Sequence, residues 1–185
     1  PRPLVTGEIT AVTPGFSGWT AGTNVPGTNG GYYTAGTYGH AGFVFCSRYG
    51  PFAHSVDGKT WTQGIGTWTN MDCWGVAYGN GKYIAASTDS NPKIQTSTDG
   101  INWTQSDLLK AGGGKIANGG WRNIQYANGR FIMVSQSAGA ENIIWSDDGV
   151  EWTKANANQV VYQCLAYSTK ENIWCAVAEG YKGTV

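Results

Sequence analysis

Charged side chains are scarce in this sequence. They account for 13% of its 185 residues, against about 25% in an average globular protein, and the 12 basic and 12 acidic residues cancel to a net charge of zero. Because no basic stretch is present, electrostatic capture of nucleic acid is not expected. No apolar run comes near the roughly 20 residues that a membrane helix requires, so we expect no insertion into a membrane.

Side chains that bind metal ions are also few. The chain has two histidines, His40 and His54, and no C-x-x-C pair. Since a zinc site normally needs more closely spaced ligands, we predict no metal and no cofactor. The four cysteines are instead expected to be small buried apolar residues. They are Cys46, Cys73, Cys164 and Cys175.

Glycine and aromatic residues are abundant. The chain holds 28 glycines, nine tryptophans and ten tyrosines, which is typical of short aromatic strands joined by tight turns. The motif S-x-D-G-x-x-W occurs three times, and its serines stand 42 and 49 residues apart, near the length of a propeller blade. Its shared positions are Ser55, Asp57, Gly58 and Trp61, then Ser97, Asp99, Gly100 and Trp103, then Ser146, Asp148, Gly149 and Trp152.

A second motif recurs in phase with the first. Asn80-Gly81 and Asn128-Gly129 each stand between aromatic residues. Asn-Gly between strand ends is a strong signal for a β-hairpin, because both turn residues need positive φ. Looser copies occur at 38–43 and 167–174. The combined order predicts a four-stranded antiparallel meander in each unit, with the motif tryptophan on the outermost strand.

The chemistry of the S-x-D-G-x-x-W motif indicates a structural role. An Asp side chain accepts hydrogen bonds from the backbone N–H groups that follow it and so fixes a turn. Gly adopts a conformation that a Cβ would penalise, and a packed Trp buries a large apolar area. Because these residues recur in every unit, we interpret Asp57, Asp99 and Asp148 as turn-forming residues and not as catalytic acids.

These segments resemble the Asp-box (bacterial neuraminidase) repeats of β-propeller proteins, in the short-blade style of bacterial and phage tail or fibre proteins. The resemblance implies an all-β fold, a β-propeller of four-stranded antiparallel blades, with about 3.5 blades in this sequence. We place blades at about 32–69, 73–110 and 121–159, and a partial blade at 160–185. The motif is one residue shorter than the usual S-x-D-x-G-x-T-W, so a tighter turn is expected.

Residues 1–31 are rich in Pro, Gly and Thr and are interpreted as an extended arm or linker, with the alternative that they hold one closing strand. They lack the apolar core of a signal peptide. Two interpretations remain open: the chain is not secreted by that route, or its leader lies outside this sequence. A closed propeller has about four to eight blades. Three explanations for the blade count therefore remain: a fragment of a longer protein, closure by residues 1–31, or completion by other subunits.

No catalytic residue can be nominated. Sialidases, the best-known enzymes of the resembled family, hold the substrate carboxylate with three arginines. This chain lacks the family's arginine motif, and its four arginines are Arg2, Arg48, Arg122 and Arg130.

The candidates for ligand contact are aromatic residues near the starts of the inner strands, with one arginine beside them. Flat rings stack on sugars, and an arginine adds a fork of hydrogen-bond donors. The alternative for each ring is packing between blades. The set is Trp68, Trp74, Trp121, Arg122 and Tyr162.

We therefore predict a non-enzymatic structural or binding module of a virion or extracellular assembly, phage tail or fibre-like, that contacts a surface glycan or a partner protein. Two alternatives stay open. One is a sialidase-like glycan hydrolase whose active centre lies partly outside this sequence, and the other is an assembly scaffold of a cellular complex. A homo-oligomer is compatible with each.

Overall fold

The structure is a computed structural model that describes residues 23–24, 26–27, 31–66, 71–88, 91–117, 119–137 and 141–179. In these residues all regular secondary structure is β-strand, and no helix occurs. The described part of the chain therefore offers no helix that is long and apolar enough to cross a membrane. The predicted all-β fold is confirmed.

Three four-stranded antiparallel meanders and one hairpin follow one another along the chain, and we call them blades 1 to 4. Blade 1 contains β1 (Tyr32–Gly39), β2 (Gly42–Arg48), β3 (Ala53–Ser55) and β4 (Thr62–Gln63). Blade 2 contains β5 (Cys73–Gly79), β6 (Lys82–Ser87), β7 (Lys93–Ser97) and β8 (Thr104–Asp107). After the short β9 (Leu109–Lys110), blade 3 contains β10 (Trp121–Ala127), β11 (Arg130–Ser135), β12 (Ile143–Ser146) and β13 (Glu151–Lys154). Blade 4 contains β14 (Tyr162–Ser168) and β15 (Ile173–Ala178). The first strand of each blade is innermost, because these strands pack on one another from blade to blade.

The hairpins at the inner edge of blades 2 and 3 close on the Asn-Gly pairs. Asn80 and Gly81 have φ angles of 50° and 76°, and Asn128 and Gly129 have 50° and 78°. Both residues of each turn thus lie in the left-handed region, which matches the twist of the flanking strands. In blade 4, Asn172 takes the corresponding left-handed conformation with φ of 54°.

The S-x-D-G segments form the turns between the third and fourth strands. In blade 2, Asp99 Oδ1 accepts hydrogen bonds from the backbone N–H groups of Ile101 (2.8 Å) and Asn102 (2.7 Å). Ser97 Oγ accepts a bond from the Gly100 N–H group (2.8 Å) and donates one to Asp99. Corresponding bonds form in blades 1 and 3.

These bonds favour the charged form of each carboxylate. The backbone N–H group of Thr60 is the main cause that lowers the pKa of Asp57, and that of Val150 is the main cause for Asp148. Burial acts to raise the pKa of Asp99, but its side-chain and backbone hydrogen bonds together outweigh burial and hold that pKa well below its usual range. The folded turn therefore binds the carboxylate more favourably than the acid.

Successive blades are also joined by short parallel pairings, which the sequence did not predict. Ile65, just after β4, pairs with Asn102 in blade 2, and Thr23 pairs with Thr60 in blade 1. The strand β9 pairs in the same sense with β13 and makes blade 3 a five-stranded sheet. Each pairing lies just before or at the motif tryptophan. The start of the outermost strand of a blade therefore pairs with the segment that enters that blade.

The hydrophobic core is divided among the junctions between blades. Trp103 of blade 2 meets Phe52 of blade 1 edge-to-face, with ring centroids 4.6 Å apart. Trp152 of blade 3 belongs to one cluster with Ile84 of blade 2 and Phe131. The junctions between blades 1 and 2 and between blades 2 and 3 are thus filled by the motif tryptophan of one blade and the apolar face of the blade before it, whereas the junction between blades 3 and 4 is filled by Val134, Tyr162 and Leu165.

The expectation of four buried cysteines is wrong for half of them. Cys46 and Cys73 are buried, whereas Cys164 and Cys175 are exposed, and all four are free thiols. The physical reason is their position, because Cys164 and Cys175 lie on a face of blade 4 that no later described blade covers.

Candidate functional site

A β-bulge interrupts the strand pairing near the start of every inner strand. The register shifts at equivalent places in all four blades, directly after Tyr33, Cys73, Trp121 and Tyr162. A bulge adds one residue and re-aims its side chain out of the regular alternation. The re-aimed side chains are Thr34, Trp74, Arg122 and Gln163.

Arg122 lies across the indole of Trp74. Its Cζ atom is 4.1 Å from the centroid of the indole, and its Nε donates a hydrogen bond to the Gln136 side chain. The Tyr32 ring meets Trp74 edge-to-face with centroids 6.0 Å apart. Stacking of this kind stabilises by about 0.5–2 kcal/mol and orients the guanidinium. Within the described residues Arg122 forms no ion pair.

Arg48 lies at the same end of blade 1, opposite Tyr32 in the register of β1 and β2. Its guanidinium donates to the Tyr49 hydroxyl at 3.0 Å and reaches the Tyr32 hydroxyl at 3.5 Å. These two hydrogen bonds are the main causes that raise the pKa of Arg48. Its Nε is 3.5 Å from Asp72 Oδ1. At the corresponding position of blade 4, Glu179 accepts a hydrogen bond from Gln163 at 2.7 Å, so this end of the blades carries two guanidinium groups and the carboxylates of Asp72 and Glu179. We call Tyr32, Arg48, Trp74, Arg122 and Gln136 the mouth cluster.

A groove of about 290 Å³ adjoins the mouth cluster. It runs between the inner strands of blades 1 to 3, and Gly75 keeps two of these strands close, because a Cβ there would lie 2.9 Å from the backbone nitrogen of Ile124. Trp74 and Arg122 directly precede groove-lining residues, so the two features are continuous. The lining is formed by residues 35–37 of β1, 75–78 of β5 and 123–126 of β10.

Two polar side chains of β10 line the groove. Gln125 Nε2 donates to the carbonyl of Leu165 in blade 4 at 2.7 Å. Asn123 Oδ1, by contrast, is buried and has no hydrogen-bond partner in the described part of the chain. An unsatisfied buried acceptor costs about 1–3 kcal/mol.

The predicted ligand-binding residues fall into three groups. Trp74 and Arg122 come together in the mouth cluster. Trp121, which is 2% exposed, and Tyr162 are both buried between blades, so their rings are removed from the ligand-facing set. Trp68 lies outside the described residues. Trp121 and Arg122 lie in different environments because consecutive side chains of a strand point to opposite faces, and the bulge then shifts the register of the residues that follow.

Tyr32, Arg48, Gln136 and Asn123 were missed as candidates. The phase of the repeat could have found Asn123, since the residue just after each bulged position lines the groove in blades 1 to 3. Tyr32, Gln136 and Arg48 carry no such signal. Tyr32 lies before the bulge of β1, and Gln136 and Arg48 lie at the ends of second strands and reach the mouth only through contacts across strands.

Arg130 lies at the opposite end of blade 3. It pairs with both carboxylate oxygens of Asp147, at 2.7 and 3.2 Å, and its Cζ is 3.8 Å from the centroid of Trp145. Because Arg48 and Arg122 lie at the other end of their blades, these three arginines do not converge on one carboxylate. Among the residues described, no group of three or more His, Cys, Asp or Glu side chains could hold a metal ion.

Comparison with known proteins identifies the fold. No family model matches the chain, and no curated protein matches it. A solved structure of YCF48 bound to D1 peptide is 16% identical, with a TM-score of 0.57 over 87% of this chain and 53% of that one. A structure of the nidogen/laminin complex is 13% identical, with a TM-score of 0.58 over 79% and 56%. The computationally designed Ika8 protein is 13% identical, with a TM-score of 0.56 over 79% and 42%.

The chain therefore has the β-propeller fold, in four-stranded antiparallel blades. It spans about half the length of each of these three solved structures. At these identities the likeness concerns the fold alone, and the site has to be argued from its own residues.

Proposed function

We propose that this propeller is a non-enzymatic binding module that holds an extended acidic segment of a partner protein at the mouth cluster. The observation that carries the proposal is Arg122. Its guanidinium is oriented by Trp74 and Gln136, yet no carboxylate pairs with it in the described residues. A carboxylate of a partner fits this fork as a bidentate, charge-assisted pair.

The groove supports an extended peptide as the occupant. Its lining from three inner strands includes small residues such as Ala35, Gly36 and Gly75, which leave room for a backbone. Arg122 directly precedes the lining residues of β10, so a segment in the groove would reach its guanidinium.

Trp74 favours a peptide over a sugar ring. Sugar binding by stacking needs an open aromatic face, but the guanidinium of Arg122 covers one face of Trp74, and the Tyr32 ring packs edge-to-face with Trp74. Other proteins of similar fold have been solved with peptide or protein partners: YCF48 with D1 peptide, and nidogen in complex with laminin. Both observations support a protein partner for this module.

The setting that we propose for this module is a virion or extracellular assembly, as in phage tails or fibres. What supports it is the resemblance of the S-x-D-G-x-x-W turns to short Asp-box repeats, together with the low charge of the chain. Detection of the protein in purified particles or in secreted material would agree with this setting. Confinement to a cellular complex would contradict it and favour the scaffold alternative.

The test is a binding measurement with the intact chain on an array of short synthetic peptides. Each acidic peptide is matched by a copy in which Asn and Gln replace Asp and Glu, and a glycan array is run in parallel. We expect acidic peptides to bind at least about tenfold more tightly than their neutral copies. Arg122→Gln should remove this preference, because the oriented guanidinium is lost.

Arg130→Gln is the matched control, since it removes one arginine at the opposite end of blade 3. It should leave the acidic preference intact. Equal binding of acidic and neutral peptides, or an equal loss in the Arg130→Gln variant, contradicts the assignment. Binding of glycans alone would shift the function to carbohydrate recognition.

A further inference from the structure

Two cysteines meet in the interior junction between blades 1 and 2. Cys46 lies on β2 and Cys73 begins β5, and both side chains are fully buried. They belong to the same apolar cluster of this junction. Their thiols share a hydrogen bond, so the two sulfur atoms are in direct contact.

The backbone holds these two residues side by side. Arg48 and Asp72 form an antiparallel bridge between the end of β2 and the segment before β5. Cys46 lies two residues before Arg48, and Cys73 lies one residue after Asp72. Because antiparallel partners run in opposite directions, both cysteines lie on the same side of this bridge. A disulfide needs Cα atoms about 4.4–6.8 Å apart, and residues of directly neighbouring strands meet this requirement.

One hydroxyl group fixes both cysteines. Thr34 Oγ1 is 3.3 Å from Cys46 Sγ and donates a hydrogen bond to the Cys73 carbonyl at 2.6 Å. Cys73 Sγ is in turn 3.5 Å from the carbonyl oxygen of Gly75. Thr34 is the bulge residue of β1. The bulge of blade 1 therefore orients the cysteine pair of the next junction.

The equivalent positions of the other two interior junctions carry an aromatic ring packed on a small aliphatic residue. The three pairs, matched by strand register and shared cluster, are Cys46 with Cys73, Ala86 with Trp121, and Val134 with Tyr162. A thiol buries much less apolar area than an aromatic ring. Packing alone therefore does not account for cysteine at both positions of one junction.

We propose that Cys46 and Cys73 are a disulfide-forming pair, whose oxidation links β2 of blade 1 covalently to β5 of blade 2. The bond closes a loop of 73 − 46 = 27 residues that contains β3 and β4. It fixes the outer half of blade 1 to blade 2 and occupies the place that a ring fills in the other junctions. This inference is independent of the partner proposed for the mouth cluster.

The oxidant that we propose is a low-molecular-weight disulfide. One protein thiolate attacks a sulfur of this disulfide and releases one small thiol, and the second protein thiolate then attacks the mixed disulfide and releases the other. The two cysteines lose two electrons and two protons, which the small disulfide gains as it becomes two thiols. Burial is the main cause that holds the pKa of Cys73 well above its ordinary value. Because the thiolate is the reacting form, the exchange takes place when the junction opens, during folding or local unfolding.

The first test maps the bond in the intact chain. The chain is equilibrated with mixtures of reduced and oxidised glutathione in urea below its unfolding transition, where the junction opens transiently. Remaining thiols are blocked, and the chain is digested without reductant. We expect the main linked peptide to join Cys46 to Cys73. Recovery of both as blocked thiols at every glutathione ratio, or equal linkage of either to Cys164 or Cys175, would overturn the proposal.

The second test measures whether the folded junction accepts the bond. The oxidised chain should melt roughly 5–10 °C above the same chain after reduction, because the bond restricts the unfolded state. Cys46→Ala should show no such rise after the same oxidation. Cys164→Ser is the matched control, since it removes an exposed thiol and keeps the buried pair, and it should show the full rise.

The comparison of oxidised and reduced parent chain decides the outcome even if Cys46→Ala does not fold, and Cys73→Ala then replaces that variant. An oxidised parent chain that melts at or below the temperature of the reduced chain contradicts a junction built for this bond. The same rise in an alanine variant, or its absence in Cys164→Ser, assigns the effect to other thiols and also rejects the proposal.

Discussion

The interior junctions and the two end faces of this propeller use the same kinds of residue at the same positions of the repeat. Trp152 fills the junction between blades 2 and 3 and is 1% exposed, whereas Trp61, at the same position of blade 1, is only half-buried. The turns that hold the two rings have the same hydrogen bonds. The comparison teaches that a blade supplies the ring and its turn, but the preceding blade supplies most of the burial.

Replacement of each tryptophan by alanine should give the largest difference in stability between an interior junction and an end face. Trp152→Ala opens a cavity in a closed junction and should lower the free energy of unfolding by about 3–5 kcal/mol. Trp61→Ala removes a ring that is half-buried, and it should cost about half as much. Urea unfolding of both variants measures the difference. Equal losses would show that the junction does not determine the contribution of the ring.

The glycines of the same turns test how closely a turn packs on the preceding blade. Gly149 and Gly58 have nearly equal φ angles of 75° and 70°, so alanine strains the backbone similarly at both. A Cβ at Gly149 would also meet Ile84 Cδ1 at 2.1 Å, whereas at Gly58 the nearest atom is 3.5 Å away, in Phe43. Gly149→Ala should therefore cost about 1–3 kcal/mol more than Gly58→Ala, through overpacking of the junction.

Thermal or urea unfolding of the two alanine variants gives this difference directly. Gly81→Ala is a useful reference, since Gly81 has φ of 76° and open space around its Cβ position. Gly58→Ala should resemble Gly81→Ala, with only the cost of the left-handed backbone. A Gly149→Ala variant as stable as both would contradict the close packing of blade 3 on blade 2.

Local turn chemistry is the part of this structure that the sequence could predict. Asn80-Gly81 and Asp99-Gly100 dictate their own conformations through φ preference and side-chain hydrogen bonds, so the meander and its order were predicted correctly. The pairing of Ile65 with Asn102 was not, because it depends on how two blades approach. Nor could the sequence separate a buried ring from one at the mouth, since one bulge residue reverses which side chain faces outward.

Acid should weaken the turns at interior junctions. The folded-state pKa of Asp99 is depressed, so its stabilising effect is complete above the unfolded pKa of about 3.9 and is lost as the pH falls through the folded value. Asp99→Ala should cost about 1 kcal/mol at neutral pH, after screening by water. It should also flatten the acid-induced fall in melting temperature below pH about 4.

Melting temperatures of the parent chain and of Asp99→Ala, measured from neutral pH into acid, check this prediction. Glu171→Gln is the control, because Glu171 is an exposed residue outside the three turns. Its acid profile should follow that of the parent chain. If Asp99→Ala and the parent chain lose stability in parallel as the pH falls, Asp99 does not contribute through its charge.

The smallest effect is expected at Arg130. Its pair with Asp147 and its stacking on Trp145 lie at an exposed edge of blade 3, where an ion pair contributes about 0–1 kcal/mol. Arg130→Gln should therefore lower the free energy of unfolding by less than about 1 kcal/mol. A loss comparable with that of Trp152→Ala would show that this edge is covered in solution.

The four free thiols test the contrast between junctions and ends most directly. Cys46 of blade 1 and Cys73 of blade 2 are buried in the junction between these two blades, whereas Cys164 and Cys175 are exposed on blade 4. Maleimide labelling of the folded chain, followed by peptide mass mapping, should modify Cys164 and Cys175 quickly. Cys46 and Cys73 should react only after denaturant is added. Labelling of Cys46 or Cys73 as fast as Cys175 would contradict the closed junction, and with it the equivalence of blades on which this account depends.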